Sequence, residues 1–405
     1  MVKALNGRLH VVDQRSKAAY YLHALRWFSA FYVMIYHLRP VLFKGYEQLE
    51  QKSLLVKGLY AATSIGNEFV MLFFVLSGYL IAGSVLRSVA AGTWSWKTYL
   101  LNRVTRLWVV LFASLLLTYV WARAQLFLFP QYDRFSDSLG WLDFVGNLLF
   151  LQGLVVPNYG ENIPLWSLCY EFWYYMIFPC LILAFVANRI WKRVVYGAAF
   201  LVMAVLLGKA IMLYFLIWLL GAALVLVPAP RISERLLTRV AVPAAGCVSA
   251  VLLVAGKAVA GANEHAAGLA GFLAVWFISV GFAALIYAIL HGYKRQASVQ
   301  EVKRLHVHVV LAGFSYTLYL THYPIVNFVR VWLGDGKWGS WNPDLPHLLL
   351  AVVIAIAICV YAWLLSLITE AKTAEFRNFA KKLLDAPFRG KKSAFDAKGH
   401  HIQGS

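Results

Sequence analysis

Carboxylates are scarce in this chain: 18 Asp and Glu stand against 37 Lys and Arg, for a formal net charge of +19. Charge of either sign is itself thin, at 14% of residues, while 61% are hydrophobic. A soluble domain is usually about half apolar, so an ordinary soluble globular protein is excluded. Cysteine is sparse as well. Cys169, Cys180, Cys247 and Cys359 all lie in apolar runs without C-x-x-C spacing, which argues against a disulfide framework or zinc site and leaves buried, inert thiols. The basic start "MVKALNGRLHVVDQRSKAAYYLHALR" lacks a short apolar core followed by a small-residue cleavage site. The first apolar run is therefore expected to be retained.

Long apolar runs are plentiful. They fall near 20–43, 61–85, 107–129, 165–187, 194–208, 210–227, 240–256, 266–290, 309–332 and 347–369, most of them long enough to cross a hydrocarbon core of about 30 Å. The expected fold is an all-α polytopic membrane protein of ten transmembrane helices. An eleventh run, "FVGNLLFLQGLVV" at 144–156, is too short for a full crossing and is expected as a re-entrant or half-depth helix.

Charge orients this arrangement. If ten runs cross, the amino tail and the loops at 86–106, 188–193, 228–239, 291–308 and 370–405 share one side and carry 26 of the 37 basic residues. The opposite loops carry seven: Lys44, Lys52, Lys57, Arg134, Lys209, Lys257 and Lys337. The positive-inside rule then puts both termini in the cytoplasm. Residues 1–19 read as a cytoplasmic tail, 20–369 as the membrane domain and 370–405 as a basic cytoplasmic tail. The excess charge is accounted for at a membrane surface, without nucleic acid.

Few ionisable groups remain inside the spans, and each is costly there, so each is a functional candidate with a partner to be found. Arg26 and His37 are eleven residues apart, about 20° around a helix and roughly 16 Å along it, and so share a face. A snorkelling arginine and a carbonyl-bonded histidine would satisfy the same pattern structurally. Glu171, in "IPLWSLCYEFWYYMIFP", lies seven residues past Pro164, roughly 10 Å deep, and needs a cationic or hydrogen-bonding partner. Glu68 lies near an outer end. Ser315, Tyr319 and His322, spaced i, i+4, i+7, form a polar stripe that either lines a cavity or binds helices together. At a cytoplasmic helix end, Arg103 and Arg106 can grip phosphate or anchor the helix at the membrane surface.

Three other patterns carry less. "GDGKWG" at 334–339 matches G-x-G-x-x-G but follows a membrane run, with no strand before it. "HVH" at 306–308 lacks further metal ligands. Ser77 lacks the G-x-S-x-G context of a nucleophile elbow, and with Gly78 it reads as a point of close helix packing.

Taken together, these residues resemble the membrane acyltransferase family often called acyltransferase 3. The resemblance covers most of the chain. It is carried by Arg26 and His37, "FFVLSGYLI" at 73–81, Arg103 and Arg106, "LWSLCYEFWYYMIFP" at 165–179, and "FSYTLYLTHYPI" at 314–325. Cys169 and Tyr170 depart from the family's usual residues before the glutamate, leaving Glu171 in register. The resemblance implies a ten-helix acyltransferase domain with a cytoplasmic acyl-CoA donor and His37 as central catalytic residue, with Arg26, Arg103, Arg106 and Glu171 important. The appended SGNH-type esterase domain of some relatives is not expected.

On this reading an acyl group, acetyl by family frequency, passes from acyl-CoA to a hydroxyl of an extracytoplasmic or lipid-linked saccharide at the bacterial inner membrane. Arg103 and Arg106 would dock the phosphates, and the pantetheine arm would pass Arg26. His37 would act as general base, Glu171 would orient and charge-stabilise it, and His322 or Tyr319 would donate to the oxyanion. No permanently bound cofactor or metal is expected. An acyl-enzyme relay, a non-glycan acceptor, and a saccharide or lipid exporter stay open as alternatives.

Overall fold

A computed structural model describes residues 9–133, 136–262 and 268–396, and Arg134 lies outside them. The described residues form helices joined by short loops, with isolated bridges in place of sheet. Seven helical stretches are long and apolar enough to cross a membrane, or eight if a bent pair counts as one. This is an integral membrane protein.

The helices are α1 (Lys17–Leu42), α2 (Leu54–Ala62), α3 (Gly66–Ala90), α4 (Trp96–Leu128), α5 (Trp141–Leu148), α6 (Leu165–Val186) and α7 (Ile190–Leu224). They continue with α8 (Val242–Ala262), α9 (Leu269–Gly292), α10 (Val299–Gly313), α11 (Ser315–Gly334), α12 (Leu345–Ile368) and α13 (Thr373–Asp396). Several begin on side-chain caps that satisfy orphan amides: Ser16 for α1, Ser95 for α4, Asp344 for α12, and a Ser298–Glu301 capping box for α10. Helix α1 is not among the seven apolar stretches, since His23, Arg26, His37 and Arg39 dilute its apolar character.

Helix α7 is one run of 35 residues broken at Gly208, with φ 75° and ψ 175°, a conformation open to glycine. The chain reverses there. Tyr196, before the break, accepts from Trp96 Nε1 beside the start of α4. Beyond the break, Tyr214 packs edge-on against Trp166 and Phe74, and Trp218 meets Phe178. Val225 then returns to the same end as Tyr196, where its carbonyl accepts from His10 N–H at 2.8 Å. The returning arm crosses α3 so closely that a Cβ at Gly78 would lie 2.0 Å from the Trp218 carbonyl oxygen. One at Gly221 would lie 1.8 Å from that of Val75. The close packing expected at Gly78 is present.

The basic loops gather at this same end. Lys17 and Ala18 N–H groups bond Arg295 and Tyr293 carbonyls, Lys17 pairs with Glu301, and Lys97 pairs with Asp385. The opposite end holds the Lys44–Trp341 backbone pair, the Tyr132–Asp335 hydrogen bond and the Lys257–Glu68 ion pair.

The 144–156 run does not continue as a crossing helix, and its helical part is shorter and earlier than expected. Helix α5 spans 141–148, and the rest folds back as a loop in which Phe150 and Gly153 take φ of 59° and 76°. Buried polar groups impose this path: Asn147 donates to the Asp143 and Pro157 carbonyls and accepts from Tyr159 N–H, and Gln152 donates to the Leu165 carbonyl. Helices α10 and α11, read together as one span at 309–332, are two pieces bent by 44° at Phe314.

Candidate active site

Helices α1 and α11 lie against each other, and their polar stripes meet. At the basic end Arg26 Nε donates to Ser315 Oγ at 3.2 Å. Further along, His37 faces His322 with ring centroids 5.4 Å apart. Eleven residues on α1 rise about 16 Å and seven on α11 about 10 Å, and the long Arg26 side chain takes up the difference to reach Ser315 across one seam.

Two cavities flank this seam. The inner one is a slot of about 90 Å³ lined by Arg26, Ser77, Arg106, Ser167, Glu171, Tyr175, Ser315 and Tyr319 among apolar residues. The outer one holds about 630 Å³ and is lined by Tyr36, His37, Asn67, Glu68, Trp166, Tyr214, Lys257, Tyr323 and Trp338, among others. Trp166 of the outer cavity packs on Phe74 of the inner one. Tyr319, which lines the slot, is 6.2 Å from the His322 ring.

Glu171 is not bound to His37. Its Oε1 accepts from Ser77 Oγ at 2.9 Å and from the Tyr175 hydroxyl. Ser77 Oγ also receives Trp218 Nε1 at 3.3 Å. The carboxylate is thus held by hydroxyls within the slot, whereas the expected role as orienter of His37 requires it in the other cavity. Ser77 was expected only as a packing residue; the neighbouring glycine supplies that, and the serine faces Glu171.

The two residues expected to donate to an oxyanion are differently engaged. Ser167 Oγ donates to the Pro164 carbonyl at 3.1 Å and lies 2.7 Å from the Tyr319 hydroxyl. With the serine proton so used, Tyr319 is the donor of the second bond. His322 has Nδ1 2.9 Å from the Leu318 carbonyl, which places the neutral ring's proton there. Its buried Nε2 has no partner among the described residues and is then an acceptor. In this tautomer His322 can take a proton; donation would need the imidazolium. His37 makes no hydrogen bond within the described residues and packs against the Tyr36, His322 and Tyr323 rings.

Arg103 and Arg106 separate. Arg106 is exposed and lines the slot, whereas Arg103 donates to Ser84 Oγ at 3.3 Å and lies over the Tyr99 ring. Three residues on a helix leave side chains about 60° apart, and here that offset sends them to different neighbours. His308 of the "HVH" segment accepts from Trp27 Nε1 at 3.1 Å, a structural contact.

Glu370 escaped the sequence reading, which assigned it to the basic tail. Its carboxylate pairs with Arg26 Nη2 at 3.0 Å and accepts from Thr317 N–H and Oγ1, both at 3.2 Å. Its position as the first carboxylate after the last apolar run was the available signal.

Residues 19–364 match the family model described as an acyltransferase domain. The chain belongs to this acyltransferase family, and acyl transfer is its class of chemistry. It is 25% identical over 369 residues to the acyltransferase MdmB of Streptomyces mycarofaciens, covering 83% of this chain and 87% of that protein. It is 24% identical over 405 residues to the O-acetyltransferase OatA of Staphylococcus aureus, covering 91% of this chain and 57% of that relative. No solved structure matches.

Proposed function

We propose that the chain takes an acyl group, acetyl by preference, from cytoplasmic acyl-CoA and delivers it to a hydroxyl of an extracytoplasmic or lipid-linked saccharide at the bacterial inner membrane. The observation that carries this reading is the succession of two cavities along the seam between α1 and α11, one lined by Arg26 and Ser315 and the other by His37 and Tyr323. The slot, narrow and reached past Arg106 and Arg26, suits a pantetheine arm and leaves the nucleotide outside. The roomier outer cavity, with its indole and phenol faces and His37, suits a sugar ring.

Counting α1, the two arms of α7 and the bent α10–α11 pair as crossings gives ten with α3, α4, α6, α8, α9 and α12. An even count returns both termini to one side, and the gathering of basic residues there makes that side cytoplasmic.

In the reaction, the acceptor oxygen attacks the thioester carbonyl while its proton passes to His37. The carbon–sulfur bond breaks, and coenzyme A leaves as thiolate, to be protonated from solvent. Glu171, held by Ser77 and Tyr175, fixes a negative charge beside the arm and shapes the slot. The test is acetyl transfer from labelled acetyl-CoA on the basic face of reconstituted vesicles. Product glycan on the opposite face is expected from the native protein and not from His37→Ala; full activity in that variant would overturn the role of His37.

A further inference from the structure

The bend between α10 and α11 breaks a helix at Phe314, where the Ala312 carbonyl already accepts from Ser315 Oγ at 2.9 Å. A helix end leaves carbonyls and amides without helical partners, and inside a membrane these must be satisfied by protein. The Ala312 carbonyl lies on one side of the break and the Thr317 N–H on the other. Arg26 Nη2 donates to Ala312 O at 2.9 Å, and Glu370 Oε2 accepts from Thr317 N–H at 3.2 Å. Arg26 and Glu370 then bond each other at 3.0 Å, closing a circuit across the break. Arg26 Nε is taken by Ser315 at 3.2 Å.

The same arginine side chain lines the slot. Near Glu370, Lys372 pairs with Glu375 at 2.7 Å. Pairing also cancels the net charge of Arg26. An arginine so neutralised contributes little long-range attraction, so its part in the slot is one of shape and local polarity.

We propose that Glu370 is a positioning residue for Arg26: contributed from beyond the last span, it holds the guanidinium across the α10–α11 break and so sets the donor slot. The proposal rests on the acyl-CoA reading above. Exposed Arg106 supplies attraction for the anionic donor, and the Arg26–Glu370 pair supplies alignment of its arm.

The test is equilibrium binding of acetyl-CoA to purified full-length protein, which needs no acceptor. Glu370→Ala is expected to raise the Kd at least about tenfold, the order for losing a charged hydrogen-bond partner. Glu370→Asp should recover most of it, because the shorter carboxylate can still pair. If Glu370→Ala fails to fold by thermal unfolding, Glu370→Gln decides, since it keeps the shape and one acceptor oxygen while removing the charge. Binding unchanged or tightened in a folded Ala or Gln variant overturns the proposal. Absence of acetyl-CoA binding in the native protein would instead sink the donor reading, so the two failures are distinguishable.

Discussion

The His37 and His322 rings face each other at 5.4 Å and a tilt of 33°, yet they differ in surroundings. His322 is fully buried with Nδ1 against a backbone carbonyl, whereas His37 opens on the outer cavity. His322 Nε2, without a partner among the described residues, is open to accept a proton. His37→Ala is expected to lower kcat by about 10² to 10⁴-fold, the range for loss of a general base. His322→Ala should cost less, and both should leave acetyl-CoA binding unchanged. Steady-state transfer assays alongside donor binding check this.

Arg103 and Arg106 should no longer behave as a pair. Arg106→Ala is expected to weaken acetyl-CoA binding and to flatten its salt dependence, because an exposed cation is lost from the slot mouth. Arg103→Ala should leave donor affinity close to native and lower thermal stability, through loss of the Ser84 bond and the Tyr99 contact. Equal losses of donor affinity in both variants would contradict the separation.

Glu171→Gln separates charge from shape, since the amide oxygen can still accept from Ser77 and Tyr175. Activity is expected to fall sharply with thermal stability near native. Tyr175→Phe and Ser77→Ala should instead cost stability, about 1.5 to 3 kcal/mol for each hydrogen bond to a charged group, measured by unfolding in detergent.

Gly221→Ala should destabilise without touching either cavity. The added methyl would lie 1.8 Å from the Val75 carbonyl oxygen, which is backbone and has little room to yield. A loss of about 1 to 3 kcal/mol is expected from overpacking. A melting temperature equal to the native protein's would show that the α3–α7 crossing is looser than described.

The Glu68–Lys257 pair, at 2.9 Å on the wall of the outer cavity, offers a handle on the acceptor side. Its lysine is one-third exposed, so a double-mutant cycle should give a coupling of only about 0.2 to 1 kcal/mol. Lys257→Met is expected to alter acceptor KM while leaving acetyl-CoA binding unchanged. A change confined to donor binding would misplace this cavity.

The features legible in the sequence were those set by regular spacing. Apolar runs located the long helices, and their division between 208 and 210 fell at the Gly208 reversal. The eleven-residue interval between Arg26 and His37 foretold a shared face, and the stripe at Ser315, Tyr319 and His322 supplied the face it meets. Illegible were contacts between residues far apart in the chain. Nothing local says that Glu171 turns to Ser77, 94 residues away, or that Glu370 returns to Arg26, 344 residues away. The shortness of the 144–156 run was legible, but its fold-back was not, because it depends on Asn147 and Gln152 bonding the Pro157 and Leu165 carbonyls further along the chain.

The reversal at Gly208 has a consequence for how the chain is handled after synthesis. A turn made by one residue leaves almost no polypeptide projecting from the bundle between two long arms, so a protease or a labelling enzyme finds no loop to grasp. The two arms are tied by a single residue, so neither can shift without the other.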